Sequence, residues 1–337
     1  MGSKPLLIGN ICLHKRVFLA PLAGITDFPF RQTARMFGAE LTFTEMISAN
    51  GIVFGNQKTL AMLKTVWKEK PLAVQIFGSD PELMAEAAVV CKDFGASIID
   101  INMGCPQKKI VKTGAGAALM KRAKIATAIV KNVVKKVSVP VSCKIRLGWD
   151  HNTINVVEFS KRMEDAGASM ITIHGRTRAQ MFSGSARWDM IQKVKASLSI
   201  PVIANGDISS VKEARRCLQI SGADGVMIGR AAIGKPWLID MVSKGLEMED
   251  NKTDLEIPPL HRVVTYHLDK IQEFYNEKIQ VQTARKHLAW YSKGMKNSSA
   301  FRNQIFRTDD IDTLKALAKD FFTPENEERN IAKQAKK

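Results

Sequence analysis

Eight short apolar segments, rich in β-branched residues, recur along the first two thirds of this 337-residue chain, and this alternation constrains its fold most strongly. Helical periodicity fills the intervals between them. Continuous apolar strands of this kind are buried on both faces, as in parallel sheets. Eight β/α units predict an α/β fold, a closed (β/α)8 TIM barrel, with an open doubly wound sheet as the alternative. The predicted strands are residues 17–20, 41–44, 72–76, 98–102, 139–145, 170–174, 201–205 and 225–228.

The chain changes character after about residue 245, where a polar segment ends in Pro258 and Pro259. Helical patterns follow it, with no convincing strand. We therefore predict a barrel domain over residues 1–247, a linker at 248–259, a C-terminal helical domain over 260–322 and a polar tail at 323–337.

Composition narrows the class of protein further. No charge-free apolar stretch reaches the ~18 residues of a membrane span, so we expect no membrane association. The five cysteines form no C-x-x-C pair, which favours a reducing cytoplasm and predicts neither disulfides nor a metal site. Lys and Arg number 50 against 33 Asp and Glu, a net charge of +17 that suits a polyanionic partner.

Polar residues repeatedly follow the predicted strands, at the barrel end that carries active sites. Gly206 and Gly229 follow the last two strands, where backbone N–H groups can approach a phosphate and Arg230 can add a charged fork. The candidate cofactor-binding residues at these positions are Pro21, Leu22, Ala23, Gln75, Lys144, His174, Asn205, Gly206, Asp207, Gly229 and Arg230.

Lys144 lies inside an apolar strand, where an unpaired lysine is rare. It could form a Schiff base, or it could remain charged beside the negative charge of a reduced flavin. Gln75 offers a donor and an acceptor to the edge of a flavin ring, whereas a Schiff-base site has no special need for it.

Cys105 lies in a loop between Gly104 and Pro106, just beyond the fourth predicted strand. An unperturbed thiol has a pKa of about 8.5 and is mostly protonated at neutral pH. Cys105 is therefore the candidate catalytic proton donor, whereas Cys91, Cys143 and Cys217 are interpreted as inert buried thiols and Cys12 carries no functional signal.

Seven segments of the chain are distinctive: APLAGITDFPFR at 20–31, VQIFGSDP at 74–81, DINMGCPQKK at 100–109, CKIRLGW at 143–149, ITIHGRTR at 171–178, PVIANGDI at 201–208 and MIGRAAIGKPW at 227–237. Together they resemble the tRNA-dihydrouridine synthase family and look closest to its bacterial B-type branch. The resemblance covers about residues 17–322.

This resemblance implies an FMN-dependent oxidoreductase that uses NADPH to reduce the C5–C6 double bond of specific tRNA uridines. Hydride would pass from flavin N5 to C6, and Cys105 would protonate C5. Asn102 would face the target uracil, and Arg178 would contact the substrate. The uridine would have to be flipped out of the folded tRNA.

The charge distribution supports an RNA partner. Acidic residues are absent from 101–149 and again from 278–308, while both segments are rich in Lys and Arg. We expect Arg285, Lys286 and Lys293 in the second segment to bind phosphates. Three alternatives remain: an FMN barrel acting on a free pyrimidine, a Schiff-base aldolase using Lys144, and a tRNA-binding module without catalysis.

Overall fold

A computed structural model describes residues 5–248, 258–323 and 326. Its strands are β1 (Leu6–Ile8), β2 (Ile11–Leu13), β3 (Val17–Leu19), β4 (Thr42–Phe43), β5 (Ile47–Ser48), β6 (Leu72–Phe77), β7 (Ile98–Asn102), β8 (Val141–Arg146), β9 (Met170–His174), β10 (Val202–Asn205) and β11 (Gly225–Ile228). The strands from β3 onward form one parallel sheet in the order β3-β11-β10-β9-β8-β7-β6-β4, and β5 also pairs with β6. Because β3 and β4 are in contact, the sheet curls into a nearly closed barrel. The predicted barrel is confirmed, and the open sheet is excluded.

Helices surround the barrel and follow it. They are α1 (Phe28–Met36), α2 (Ala49–Val53), α3 (Gln57–Ala61), α4 (Pro81–Asp93), α5 (Lys108–Val111), α6 (Ala123–Lys136), α7 (Val156–Asp165), α8 (Trp188–Lys195), α9 (Val211–Ser221), α10 (Leu238–Glu247), α11 (Leu260–Phe274), α12 (Glu277–Tyr291), α13 (Ser298–Arg307) and α14 (Ile311–Phe321). Short 3-10 helices lie at Val66–Lys68, Gly116–Lys121 and Arg230–Ala232. The glycines that end α1, α4, α7 and α9 have positive φ, from +61° to +101°, which turns the chain back toward the next strand. None of the described helices is both long and apolar enough to cross a membrane.

An N-terminal hairpin closes the end of the barrel opposite the predicted site. Strands β1 and β2 pair antiparallel, and Leu6, Ile8 and Leu13 pack against residues near the starts of the barrel strands, among them Ile98 and Met170. The hairpin was not predicted, because its two strands lie outside the alternation of strands and helices by which the barrel strands were recognised. Water is thereby excluded from the barrel floor.

Helices α11 to α14 have an apolar core of their own, and they pack against α1 of the barrel. Asp27 joins the two regions, since one of its carboxylate oxygens caps α1 at Phe30 N while the other accepts a hydrogen bond from Tyr275 Oη at 2.9 Å. Phe28 and Phe274 pack beside this bond with ring centres 5.0 Å apart. The domain boundaries remain a prediction, because residues 249–257 of the expected linker and most of the expected tail lie outside the described residues.

Candidate active site

A cavity of about 960 Å³ opens at the C-terminal ends of the barrel strands. This volume is at the upper end of the range of roughly 300–1,000 Å³ for small-molecule sites. All eleven predicted cofactor-binding residues line it, together with Asn102 and Cys105. Arg178 does not belong to this lining; its guanidinium lies 4.5 Å from the ring centre of Trp149 on the same rim.

A buried carboxylate organises one wall of the cavity. In the strand register Gln75 faces Asp100, and Asp100 faces Ser142. Asp100 Oδ2 accepts a hydrogen bond from Gln75 Nε2 at 2.6 Å, and its Oδ1 accepts one from Ser142 Oγ, also at 2.6 Å. Burial raises the pKa of Asp100, whereas these two donors and the charge of Lys144 oppose the rise. The carboxylate therefore fixes which way the Gln75 amide points.

The same chain of hydrogen bonds continues to the cysteine loop. Gln75 Oε1 accepts from Asn102 Nδ2 at 2.7 Å, and Asn102 Oδ1 accepts from the backbone N–H groups of Gly104 and Cys105. The position of Cys105 is thus linked through Asn102 and Gln75 to Asp100. Asn102 uses both ends of its amide to shape the wall, and it also lines the cavity.

Cys105 is half-buried at the cavity wall. Burial raises the pKa of its thiol, and a hydrogen bond from Gln107 N and the charges of Arg146 and Lys144 act in the opposite direction. At neutral pH the thiol consequently holds its proton. The two nearby cations would stabilise the thiolate that remains after the proton is given up.

Lys144 is held in place by a neighbouring strand. Its Nζ donates to Asn205 Oδ1 at 2.9 Å, and Asn205 Nδ2 donates to the backbone oxygen of Met227. Burial and the adjacent Arg146 lower the pKa of Lys144 to about 8, while Asp100 opposes this shift. Lys144 therefore remains largely charged at neutral pH and loses its proton in mildly alkaline solution.

Further cations give the cavity a positive potential. Arg146 donates to the backbone oxygens of Gly104, Thr177 and Met181, which ties the cysteine loop to the loop after β9. His174 is buried, and its pKa lies far below the usual range because of burial and the charges of four surrounding cations. The imidazole is therefore neutral. A cavity lined by Lys144, Arg146, Arg176 and Arg230 is suited to an anionic group such as a phosphate.

Asp207 shapes this cavity through its own side chain contacts. Its Oδ2 accepts from Arg176 Nη2 and from Ala186 N, both at 2.7 Å, and its backbone has the unusual φ of +55°. Asp207 lines the cavity as predicted, but its carboxylate is bound to the loop after β9. The adjacent Gly206 has φ of +117°, which favours glycine in this turn.

Sequence reasoning missed several residues of the site. Asp100 and Asn102 have the two-residue spacing that places side chains on one face of a strand, as do Ser142, Lys144 and Arg146. This alternation could have identified Asp100 and Ser142. Phe182 gave no comparable signal, because it comes from the loop after β9; its ring lies 4.3 Å from the guanidinium of Arg230 and lines the cavity.

The predicted RNA-binding residues in α12 and just after it have different environments. Arg285 donates to Thr308 O and pairs with Asp309 at 2.5 Å, so it joins α12 to the loop between α13 and α14. Partners within the protein engage this guanidinium, and its expected role in binding phosphate remains a prediction. Lys286 donates to Gly24 O. Lys293 is exposed and lines the cavity mouth, which brings a helical-region cation to the barrel site.

A family profile and similar known proteins agree on one protein family. The dihydrouridine synthase (Dus) family profile matches residues 18–326. Relatives include a probable tRNA-dihydrouridine synthase of Rickettsia conorii, 42% identical over 317 residues that cover 94% of this chain and 96% of the relative. Another is tRNA-dihydrouridine synthase B of Pasteurella multocida, 43% identical over 312 residues, with coverage of 92% and 94%.

Solved structures of other enzymes share the barrel. A morphinone reductase in complex with tetrahydroNAD is 13% identical, with a TM-score of 0.55 over 75% of this chain and 96% of that one. A 2-naphthoyl-CoA reductase complex is 14% identical, with a TM-score of 0.58 over 72% of this chain and 52% of the other. At this level of identity the likeness is one of fold.

Proposed function

This chain belongs to the dihydrouridine synthase family, and we propose that it reduces the C5–C6 double bond of specific uridines in tRNA. One observation carries the proposal: a single positively charged cavity holds both a protonated thiol at Cys105 and the cation of Lys144. Saturating a polarised double bond requires a proton donor and stabilisation of negative charge, and this cavity offers both.

The residues of the cavity fit FMN. Gln75 and Lys144 offer hydrogen bonds to the polar edge of a flat ring, with Asn205 fixing the lysine. Arg230 and the turns at Gly206 and Gly229 are suited to the phosphate, because all three residues line the cavity and glycine turns leave backbone N–H groups accessible to an anion. The other residues expected to contact FMN are the neutral His174 and the cavity wall formed by Pro21, Leu22 and Ala23. When bound, FMN supplies the hydride, which we expect it to obtain from NADPH.

The chain's own residues account for the remaining steps. The ammonium of Lys144 would stabilise negative charge on a bound flavin ring, and it would do so only while protonated. Asn102 directs the cysteine loop toward the cavity. Cys105 then delivers the proton from Sγ to C5 of the uracil. Arg146 and Lys144 stabilise the resulting thiolate until it takes up a proton again.

The tRNA must present its uridine as an extruded nucleotide, since a base within folded RNA cannot enter a cavity inside a barrel. Unstacking costs a few kcal/mol, which contacts to the rest of the tRNA must offset. The exposed cations beside the cavity mouth, including Lys293, could make such contacts with the phosphates of the tRNA.

The test uses the purified protein with FMN, NADPH and tRNA transcribed without modifications. We expect dihydrouridine in the tRNA and none from free uridine or uracil at the same concentration. Comparable reduction of the free pyrimidine would favour the alternative oxidoreductase. Absence of product from both substrates, with FMN bound and reduced, would contradict the proposed function.

A further inference from the structure

A second groove, more open than the cavity, lies on the same rim of the barrel. Its volume is about 540 Å³, and its charged and aromatic lining consists of Lys112, Lys121, Arg122 and Trp149. These residues follow β7 and β8, whose C-terminal ends form the cavity. Because all barrel strands are parallel, the segments that directly follow them emerge at one end. We call these four residues, with Arg178 beside them, the Trp149 groove.

The indole ring of Trp149 holds two cations close together. Lys121 Nζ is 4.8 Å from the ring centre, and the guanidinium carbon of Arg178 is 4.5 Å from it. Backbone hydrogen bonds fix this arrangement, because Arg178 N donates to Gly148 O at 2.9 Å and Ala179 N donates to Trp149 O at 2.8 Å. Cation–π attraction thus offsets part of the repulsion between the two charges. The cations are positioned before any ligand arrives.

Acidic side chains do not neutralise this cluster. No Asp or Glu occurs from residue 101 to residue 149. Across residues 5–248 and 258–323, none of the ion pairs involves a cation of the Trp149 groove. Asp150, the next residue, accepts hydrogen bonds from Asn152 and Thr153 in its own turn. Arg178 Nε is also buried without a hydrogen-bonding partner in the part of the chain that the structure describes.

The groove is connected to the cavity through the cysteine loop. Helix α5 leads from Pro106 and Gln107, which line the cavity, to Lys112 in the groove. Gly116 packs so closely on this loop that a side chain atom there would lie 2.8 Å from Cys105 O. The charge of Arg178 also acts on Arg146 inside the cavity. Positive potential is therefore continuous from the groove to the reacting centre.

We propose that the Trp149 groove binds the phosphates of the RNA strand next to the extruded uridine. This inference rests on the proposed function, and it assigns to the barrel rim a share of tRNA binding separate from that of the helical region. A strand whose one base enters the cavity must carry its neighbouring phosphates over the rim. Phosphate contacts position an RNA without reading its sequence, which suits a cluster of Lys and Arg.

The experiment compares Lys121→Gln/Arg122→Gln with a matched control, Lys135→Gln/Lys136→Gln. Both pairs are exposed, and both come from the same acid-free segment. Lys135 and Lys136 end α6, which runs antiparallel to the strands and so places them at the opposite end of the barrel. Affinity for unmodified tRNA is measured across a salt series in FMN-loaded protein, and dihydrouridine formation and the KM for NADPH are measured beside it.

We expect the groove variant to lose roughly ten- to fifty-fold in tRNA affinity near 0.1 M salt, and its log–log salt slope to decrease by about 1.5. The control variant should match wild type in both. Wild-type affinity and slope in the groove variant, with active wild-type enzyme, would overturn the groove assignment alone. A raised KM for NADPH with unaltered tRNA affinity would overturn it too, since the phosphates bound there would belong to the reductant. Wild-type enzyme that forms no dihydrouridine in tRNA would instead contradict the proposed function.

Discussion

At the scale of single residues, the site depends on which groups hold a proton at neutral pH. The thiol of Cys105 is protonated because burial raises its pKa, and Lys144 is mostly protonated even though burial lowers its pKa to about 8. His174 is neutral. A protonated thiol, a charged ammonium group and a neutral imidazole therefore share the same cavity.

Cofactor binding is the first consequence that can be tested. The purified protein should be yellow and should release FMN on denaturation, because its cavity offers cations and amide groups for the ring and phosphate. Lys144→Ala should retain less FMN or slow its reduction by NADPH, since negative charge on the ring loses its counter-charge. Absorbance spectra of folded and denatured protein give the measurement. Folded wild-type protein that takes up no FMN on reconstitution would rule out this cofactor.

Replacing Cys105 tests its assignment as the proton donor. Cys105→Ala should bind FMN and tRNA and oxidise NADPH, yet form dihydrouridine about 10²–10⁴ times more slowly, the usual cost of losing a positioned general acid. Single-turnover product formation is the measurement. Cys105→Ser is the matched control for size, and it should also be slow because a hydroxyl is a weaker acid. A wild-type rate in Cys105→Ala would disprove the assignment.

Asp100 should set the pH range in which Lys144 is charged. Asp100→Asn removes the negative charge that raises the pKa of Lys144, so the loss of flavin reduction above about pH 8 should move to lower pH, by on the order of one unit. Stopped-flow reduction by NADPH from pH 6 to pH 9.5 gives the profile. Ser142→Ala is the control, because it removes a hydrogen bond to the same carboxylate and keeps its charge. An equal shift in both variants would show that only hydrogen bonding matters.

At the scale of elements, sequence periodicity identified the barrel strands and most of the helices around them. It missed β1, β2 and β5, because these short strands lie outside the regular alternation of strands and helices that identified the equally short β3 and β4. It located the C-terminal rim and thirteen residues of the cavity lining, since strand ends in a parallel barrel converge. It did not identify Phe182 or the environment of Arg285, because both depend on how loops and helices pack in three dimensions.

The joint between α1, α11 and α12 contains two buried histidines. Burial lowers the pKa of His267 to about 3 and that of His287 well below its usual value, with the charge of Lys286 acting in the same direction. Both are therefore neutral when folded, whereas in the unfolded chain they take up protons near pH 6.5. Because the folded pKa is depressed, stability is present above that pH and is lost as pH falls, by about 1.4 kcal/mol per unit for each group.

His287→Phe should flatten this acid sensitivity. Both ring nitrogens of His287 lack a hydrogen-bonding partner in the described part of the chain, and the ring stacks on Phe30. Replacement should leave the thermal unfolding temperature at pH 8 unchanged or higher and reduce its fall between pH 6.5 and pH 5. Asp27, whose raised pKa acts in the opposite direction, is present in both proteins. A large loss of stability at pH 8 would mean that the imidazole nitrogens bind a group essential to the joint.

At the scale of the whole molecule, we expect RNA binding to combine the barrel rim with the segment that follows α12. Lys293 and Lys296 are exposed in that segment, and Lys293 lines the cavity mouth. Arg285, by contrast, joins α12 to the loop between α13 and α14. Surface charge around the mouth therefore comes from both regions. If tRNA contacts both regions, a short oligonucleotide that reaches only one of them should bind more weakly.

Two variants, one in α12 and one in the segment just after it, separate RNA binding from protein stability. Lys293→Gln/Lys296→Gln should weaken tRNA binding and lower the salt slope by about 1 to 2, because phosphate contacts are lost. Arg285→Gln should lower the thermal unfolding temperature and leave the salt slope near wild type, since its partners lie within the protein. Equal salt slopes in wild type and the double lysine variant would place the RNA elsewhere on the surface.

The central claim is that this protein makes dihydrouridine in tRNA, and the most direct measurement maps that base in cells. tRNA from cells that lack the gene is compared with tRNA from the parent strain and from cells complemented with wild type or with Cys105→Ala. We predict that dihydrouridine disappears at one or more defined positions without the gene, returns with wild type and does not return with Cys105→Ala. An unchanged map in cells without the gene, where no second synthase is present, would contradict the account.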